Sequence, residues 1–456
     1  MTLFQRLPLQ FRAAAYALRG GFLVRPFLIA LVLGFAGAVL SASEESTPAI
    51  SAWIPTILFP SHQDPQVAQV ILGGIAASTM TVVSIVFAIL LMTLTLASTQ
   101  FSPRILISFV RDRTTQWTLG IFLGTFSYCM AALPAARSLP QPFLPAATVT
   151  GAMLLAVVCV GWLIFFINHI SQAISVNHIV DRIARETELV MDEYVPYPRE
   201  YVQRLPTVGD TGETNSAIGS RSSGYIRFVD AERILRLAKA HHIRVRVQRR
   251  VGHFVPEGVP LLLVSHGERV TEALALDLLA CFDIGPTRTL QQDVEFGVIQ
   301  IVDIALRAIS PAVNDPSTAI SCVDQLSRIL IRWIHRAPPN PYFYSPPHVL
   351  RVVVPWISLD ELLDTAFEQI RHYSESDIAV SLRLLRAFDD IARTAPEVDL
   401  RVALVERARR VVAGCTGRLA EDEMQRLKRR LAVLEARIHP EAGSQAPAGM
   451  REPGGT

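Results

Sequence analysis

The sequence predicts an α-helical membrane domain with four transmembrane helices, followed by an α+β cytoplasmic domain made of a small β-rich subdomain and a helical bundle. Three observations carry that reading. Residues 26–170 contain only eight charged side chains, whereas residues 171–456 contain 72, an ordinary share for a soluble domain. Four apolar runs lie in the first part, and alternation of apolar and polar residues begins near Tyr225 in the second. The formal charge of +2 over 456 residues gives no bulk basic character, so nucleic acid is not an expected partner.

The runs cover residues 22–40, 67–99, 117–133 and 143–167, against the roughly 20 residues that cross a bilayer. As a helix, the second would be about 50 Å long, which requires tilt or projection beyond the hydrocarbon. Arg6, Arg12, Arg19 and Arg25 precede or begin the first run. Arg104, Arg111 and Arg113 separate the second from the third, and Arg182 and Arg185 follow the fourth. The other two loops hold Glu44, Glu45 and Asp64, or Arg137 alone. The positive-inside rule then places both termini in the cytoplasm. Small residues at Ser41-Ala-Ser also fit a signal-peptide cleavage site, but the basic region before them is long for that purpose, and an uncleaved anchor is the favoured reading.

The second run carries the first candidate site. Thr81, Ser84, Ala88, Leu91, Thr95, Ser98 and Ser102 recur at three- and four-residue steps and form one helix face. Small hydroxyl residues on one face commonly serve close helix packing. They also suit a polar stripe along a water-filled path between helices or subunits. No ionisable residue interrupts the run, so a proton relay lacks its usual mark. Pro103 ends or kinks the helix, and the arginines beyond it fix topology or meet lipid headgroups.

Residues 171–224 read as a helical extension and then a polar linker rich in Gly, Ser and Thr over 199–224. Residues 225–270 read as the β-rich subdomain, with strands near 225–229, 243–251 and 260–265 and a helix capped by Asp230. The string from Val251 to Leu261 resembles the turn of small barrel-sandwich domains, yet holds no lysine for a prosthetic group, and no cofactor is expected. Residues 225–250 carry eight basic and two acidic side chains, a solvated face by default and a surface for anionic lipid or phosphate otherwise. Residues 271–440 read as the helical domain, interrupted by a short apolar strand near 349–354, and 441–456 as a disordered tail.

Within the helical domain, residues 293–309 show apolar periodicity, stop at Ser310-Pro311, and restart near Asn314-Asp315-Pro316, which has the chemistry of a helix start. Asn314 and Asp315 thus have a structural reading. The functional alternative is a polar or cation-binding cluster of Arg288, Asp293, Asp303, Asn314 and Asp315, with Glu295, Arg307 and Asp324 nearby in sequence. Five scattered cysteines suggest neither a disulfide framework nor a zinc site.

Three strings together resemble a bacterial family of predicted membrane proteins known as domain of unknown function 2254. They are TLTLASTQFSPR from Thr93, LGIFLGTF from Leu119, and DVEFGVIQIVDIALRAISPAVNDP from Asp293, and the resemblance spans residues 15–435. It implies a multi-pass protein of the bacterial inner membrane and supplies no catalytic residues. No nucleophile elbow, P-loop, zincin or dinucleotide fingerprint occurs, so an enzyme ranks third. A homo-oligomeric, channel-like permeation protein with a cytoplasmic regulatory domain ranks first. A membrane-anchored scaffold or regulator that binds a partner or small ligand through its cytoplasmic half ranks second.

Overall fold

A computed structural model describes residues 24–47, 65–100, 113–136, 143–173, 175–194, 215–336 and 340–438. Contacts divide the chain into two units, with the boundary between His178 and Ile179. The first unit contains α1 (Val24–Ser46), α2 (Pro65–Gln100), α3 (Arg113–Ala132) and α4 (Ala146–Ala173). All four are long and apolar enough to cross a membrane. They overlie the four apolar runs to within a few residues, because nothing but length and apolarity was needed to place them.

Half of the most apolar stretch of α3 is buried, against 17% in each of the other three helices, so α3 is the packing centre of this unit. Glycines set its closest approach to α1. A Cβ on Gly37 would lie 2.6 Å from the Tyr128 carbonyl oxygen, and one on Gly120 would lie 2.5 Å from Ile29 Cδ1. Small residues on both helices let the backbones meet where no water-driven force operates. Two polar bonds then tie α4 to α3. Trp162 Nε1 donates to Thr118 Oγ1 (2.9 Å), and the Tyr128 hydroxyl donates to the Thr148 carbonyl (3.0 Å).

Glu44 does not sit in an acidic loop as its sequence context suggests. It belongs to α1, is only 2% exposed, and accepts from Ala147 N (2.8 Å), Thr148 N (3.0 Å) and Thr148 Oγ1 (2.9 Å). These are unpaired donors at the start of α4, which a carboxylate caps and whose helix dipole favours its charge. The helix therefore continues past the apolar run.

The second unit begins within α5 (Val176–Tyr194), which buries Ile179, Val180, Ile183, Ala184, Thr187 and Met191. Its strands are β1 (Asn215–Gly219), β2 (Gly224–Val229), β3 (Val245–Val247), β4 (Phe254–Val255), β5 (Pro260–Ser265), β6 (Phe282–Gly285), β7 (Tyr342–Ser345) and β8 (Val349–Val353). One sheet has the order β1-β5-β3-β8-β7, with only β3 and β8 parallel, and a second has the order β4-β2-β6. Helices α6 (Ala231–Ala240) and α7 (Glu272–Leu279) share their core, where Ile226, Ile234, Val245, Leu262, Leu278 and Val352 are fully or almost fully buried.

The strands are thus not confined to 225–270. The expected linker contains β1, whose Ala217 and Ile218 face Leu263 and Leu262 of β5. The expected helical segment contains β6, which completes the second sheet against β2. Both are pairings between distant segments, and local composition does not report them. Conversely, the alternation over 243–251 yields only three strand residues, and the chain then turns at Gly252, where φ is +90°. A Cβ there would lie 2.4 Å from Arg288 Nη2, so the turn and the close approach both require glycine.

The remaining helices are α8 (Val294–Ala308), α9 (Pro316–Ile334), α10 (Leu359–Tyr373), α11 (Ile378–Thr394), α12 (Val398–Gly414) and α13 (Glu421–Ile438). Side-chain caps start four of them: Asp293, Asp315, Ser358 in a reciprocal capping box with Glu361, and Asp377. Phe367 and Phe388 meet edge to face at 5.2 Å in the core of this bundle.

Candidate functional site

The first candidate lies on α2. Ala68, Leu72 and Ala76 of this helix pack into one buried cluster with α3 and α4 residues, and Val86 packs with Leu119 and Phe166 in another. Thr81, Ser84, Ala88, Leu91 and Thr95 occupy the opposite face and are exposed. The hydroxyls of Thr81, Ser84 and Thr95 donate to the carbonyls of Ala77 (3.0 Å), Met80 (3.1 Å) and Leu91 (2.9 Å) one turn back. That bond satisfies a hydroxyl without a neighbouring helix. Among the described residues, Thr81, Ser84 and Ala88 therefore do not serve packing against α3 or α4. Ser98 falls in α2 but its side chain is outside the described residues, as is the whole of Ser102.

The second candidate lies at the start of α8. Asp293 caps the helix, accepting from Phe296 N (3.0 Å), and receives a fork from Arg288 through Nε (2.8 Å) and Nη2 (2.9 Å). Arg288 Nη2 also donates to Glu295 Oε2 (2.8 Å), and its guanidinium lies 5.6 Å over the Phe296 ring. Glu295 takes a second fork from Arg250 (2.8 and 3.2 Å) and the Thr365 hydroxyl (3.3 Å). Two guanidinium groups thus meet two carboxylates, and the charges cancel locally. The node joins the turn after β3 to α8 and α10.

Burial opposes ionisation of Glu295, but the Arg250 fork and the Arg288 bond outweigh it and hold the carboxyl at about 2. The neighbouring His253 is lowered, first by burial and then by Arg250. Beside the node is a cleft lined by Arg250, Gln292, Trp333, Phe343, Trp356 and Ile357. Its space for the centres of water-sized molecules is about 40 Å³, room for a few waters. The buried indole N–H of Trp356 has no hydrogen-bond partner there.

Of the residues grouped by sequence, the structure brings together Arg288, Asp293 and Glu295. Asp303 is ten residues farther along α8, about 15 Å by helix rise. Asn314 and Asp315 lie beyond the other end of that helix. Asn314 takes a left-handed φ of +49°, and Asp315 caps α9 through Thr318 N (3.1 Å) and Thr318 Oγ1 (2.6 Å). A single five-residue cluster is not formed, because α8 holds its two ends apart. Among the described residues, no group of three or more His, Cys, Asp or Glu side chains is placed to hold a metal ion. In the basic stretch 225–250, Arg227 pairs with Asp283 (2.6 Å), Arg233 with Asp277 (3.6 Å), and Arg249 donates to the Phe254 carbonyl (2.8 Å).

Sequence reasoning missed Glu44 as a cap and Arg250 as the second cation of the charged node. It also missed an arginine ladder between α9 and α5. Helical spacing of Arg328, Arg332 and Arg336 was its only local signal; their partners lie about 140 positions earlier.

A sequence profile described as "Predicted membrane protein (DUF2254)" matches residues 19–390. An uncharacterized protein of Mycobacterium bovis and another of Mycobacterium tuberculosis strain H37Rv are each 30% identical over 437 residues, covering 94% of this chain and 83% of the relative. An uncharacterized protein of Mycobacterium tuberculosis strain CDC 1551 is similar to the same extent. No solved structure matches the chain significantly.

Proposed function

We propose, for a chain that belongs to the DUF2254 family of predicted membrane proteins, a homo-oligomeric, channel-like permeation protein of the bacterial inner membrane. The four apolar helices cross the bilayer, both termini are cytoplasmic, and the second unit is a regulatory domain. The observation that carries this reading is the α2 face. Thr81, Ser84 and Ala88 lie on the face of α2 turned away from its described neighbours, a small-residue face that suits a neighbouring copy or a central aqueous path. Arginine placement supports the orientation. Neither nucleic acid nor a catalytic reaction enters the reading.

Ion flux through oriented oligomers in liposomes tests it. Conductance that falls when Thr81 or Thr95 becomes leucine supports permeation; flat traces across salts and voltages overturn it. The second reading is a membrane-anchored scaffold or regulator whose second unit binds a small ligand or a protein. The cleft at Arg250, Trp333 and Trp356 favours it, because it combines aromatic walls with an unpartnered indole donor. Anionic lipid is the partner suggested by the basic stretch 225–250. Binding of anionic vesicles, or stable co-purification of a partner, in protein that passes no ions would favour this second reading.

A further inference from the structure

We infer that α5, the helix that takes up the chain two residues after α4 ends, is held in register on the second unit by a releasable electrostatic lock. The lock is a ladder of three arginines, Arg328 and Arg332 on α9 and Arg336 just past its end. Arg328 donates to Asp181 (2.9 Å) and, as a fork, to Glu188 (2.9 and 2.7 Å). Arg332 donates to both oxygens of Asp192 (2.9 Å each) and lies 3.6 Å from Glu188. Arg336 pairs with Asp192 and donates to the Met191 carbonyl (3.1 Å). Residue numbers rise together on the two helices, so they run parallel, and each arginine sits one turn beyond the last.

Two kinds of contact hold α5, and they do different work. Its apolar stripe of Ile179, Val180, Ile183, Ala184 and Met191 is buried, a non-directional contact that attaches the helix without selecting a register. A notch adds a close approach, since a Cβ on Gly297 of α8 would fall 1.9 Å from Thr187 Oγ1. The ladder then selects one register, because a rotation or slip of α5 strands charges. Glu188 is 8% exposed, and a buried carboxylate without its partners is strongly unfavourable.

The Arg328 and Arg332 rungs differ from the Arg336 rung, whose side chain is 8% exposed. The Arg328 and Arg332 side chains are each 41% exposed and that of Asp192 is 40% exposed, so water and salt reach them. At about 1 M salt the screening length falls to about 3 Å, the scale of these contacts. The lock is therefore sensitive to ions and to charge changes, whereas the sheet core of Val245, Leu262 and Val264 is not. The inference rests on the two-unit reading but not on permeation.

Hydrogen exchange of the full chain in nanodiscs tests the lock, and no flux measurement enters. At low salt, residues 179–194 should be as protected as α9. Raising salt from about 0.05 M to about 1 M should speed exchange in 179–194 about tenfold while residues 245–264 stay unchanged. Arg328→Gln with Arg332→Gln should speed the same segment at low salt and abolish its response to added salt. Exchanging the charges of all three arginines with Asp181, Glu188 and Asp192 should restore protection. Wild-type exchange in the double variant would overturn the inference, since the apolar stripe would then suffice. Equal acceleration of 179–194 and 245–264 would overturn it too, because the ladder would then be part of the global fold.

Discussion

The two units solve the problem of buried polarity in opposite ways. In the four-helix unit the polar side chains are mostly hydroxyls that turn back on carbonyls of their own helix, and packing depends on glycines that admit a neighbouring backbone. One carboxylate, Glu44, is fully enclosed, and it caps a helix. In the second unit, arginines bridge distant segments: Arg288 and Arg250 at Glu295, Arg407 at Asp360 and Asp364, and the ladder on α5. Contacts of the first kind survive without water, while those of the second kind use water to screen what pairing leaves over. The four-helix unit should therefore be sensitive to added volume, and the second unit to charge and pH.

The largest effect is expected at the node. Glu295→Ala leaves Arg250 and Arg288 short of their shared partner and should destabilise the second unit by about 3 to 4 kcal/mol in urea unfolding. The pH dependence follows from the same group. Its folded value of about 2 lies below the ordinary value of about 4.3, so its stabilisation is fully present above pH ~4.3 and disappears as pH falls toward 2. Glu295→Gln should remove that component from the acid unfolding curve. A curve unchanged in shape would place the acid response elsewhere.

In the four-helix unit the matching break is one methyl group. Gly37→Ala brings a Cβ against the backbone of Tyr128, where no flexible side chain yields, and should cost about 2 kcal/mol, read as a lower thermal midpoint in detergent. Glu44→Gln keeps one acceptor and loses the charge at the α4 N-terminus, for a loss of about 1 to 2 kcal/mol by the same measurement. The smallest effect is expected at the solvent-exposed pair of Arg386 and Asp390, one helical turn apart at 4.0 Å. Arg386→Ala should change stability by less than about 0.5 kcal/mol. A large loss there would erase the contrast between enclosed and surface pairs.

The same contrast explains what could be read in advance. The four long helices were legible because apolar length is a local property, and so were the caps at Asp230 and Asp315, whose partners lie three residues away. Arg288 and Asp293, five residues apart, meet in the structure, whereas Asp303 and Asp315 do not reach them because the length of α8 intervenes. Strand β1 was hidden in a polar segment, since its only reason to be extended is β5, more than forty residues later. Glu44 was read as a loop residue because the donors it serves are about a hundred residues away. The outward turn of the α2 face was undecidable from periodicity, which gives a face but not its direction.

That direction is the central claim, and cysteine cross-linking in the membrane tests it most directly. All five native cysteines are buried, so an added thiol is the reactive one. Ser84→Cys on the α2 face should form disulfide-linked dimers under mild oxidation. Val158→Cys, equally outward but on α4, should remain monomeric and lipid-facing. Monomers at both positions, or equal cross-linking at both, would contradict an assembly built on the α2 face.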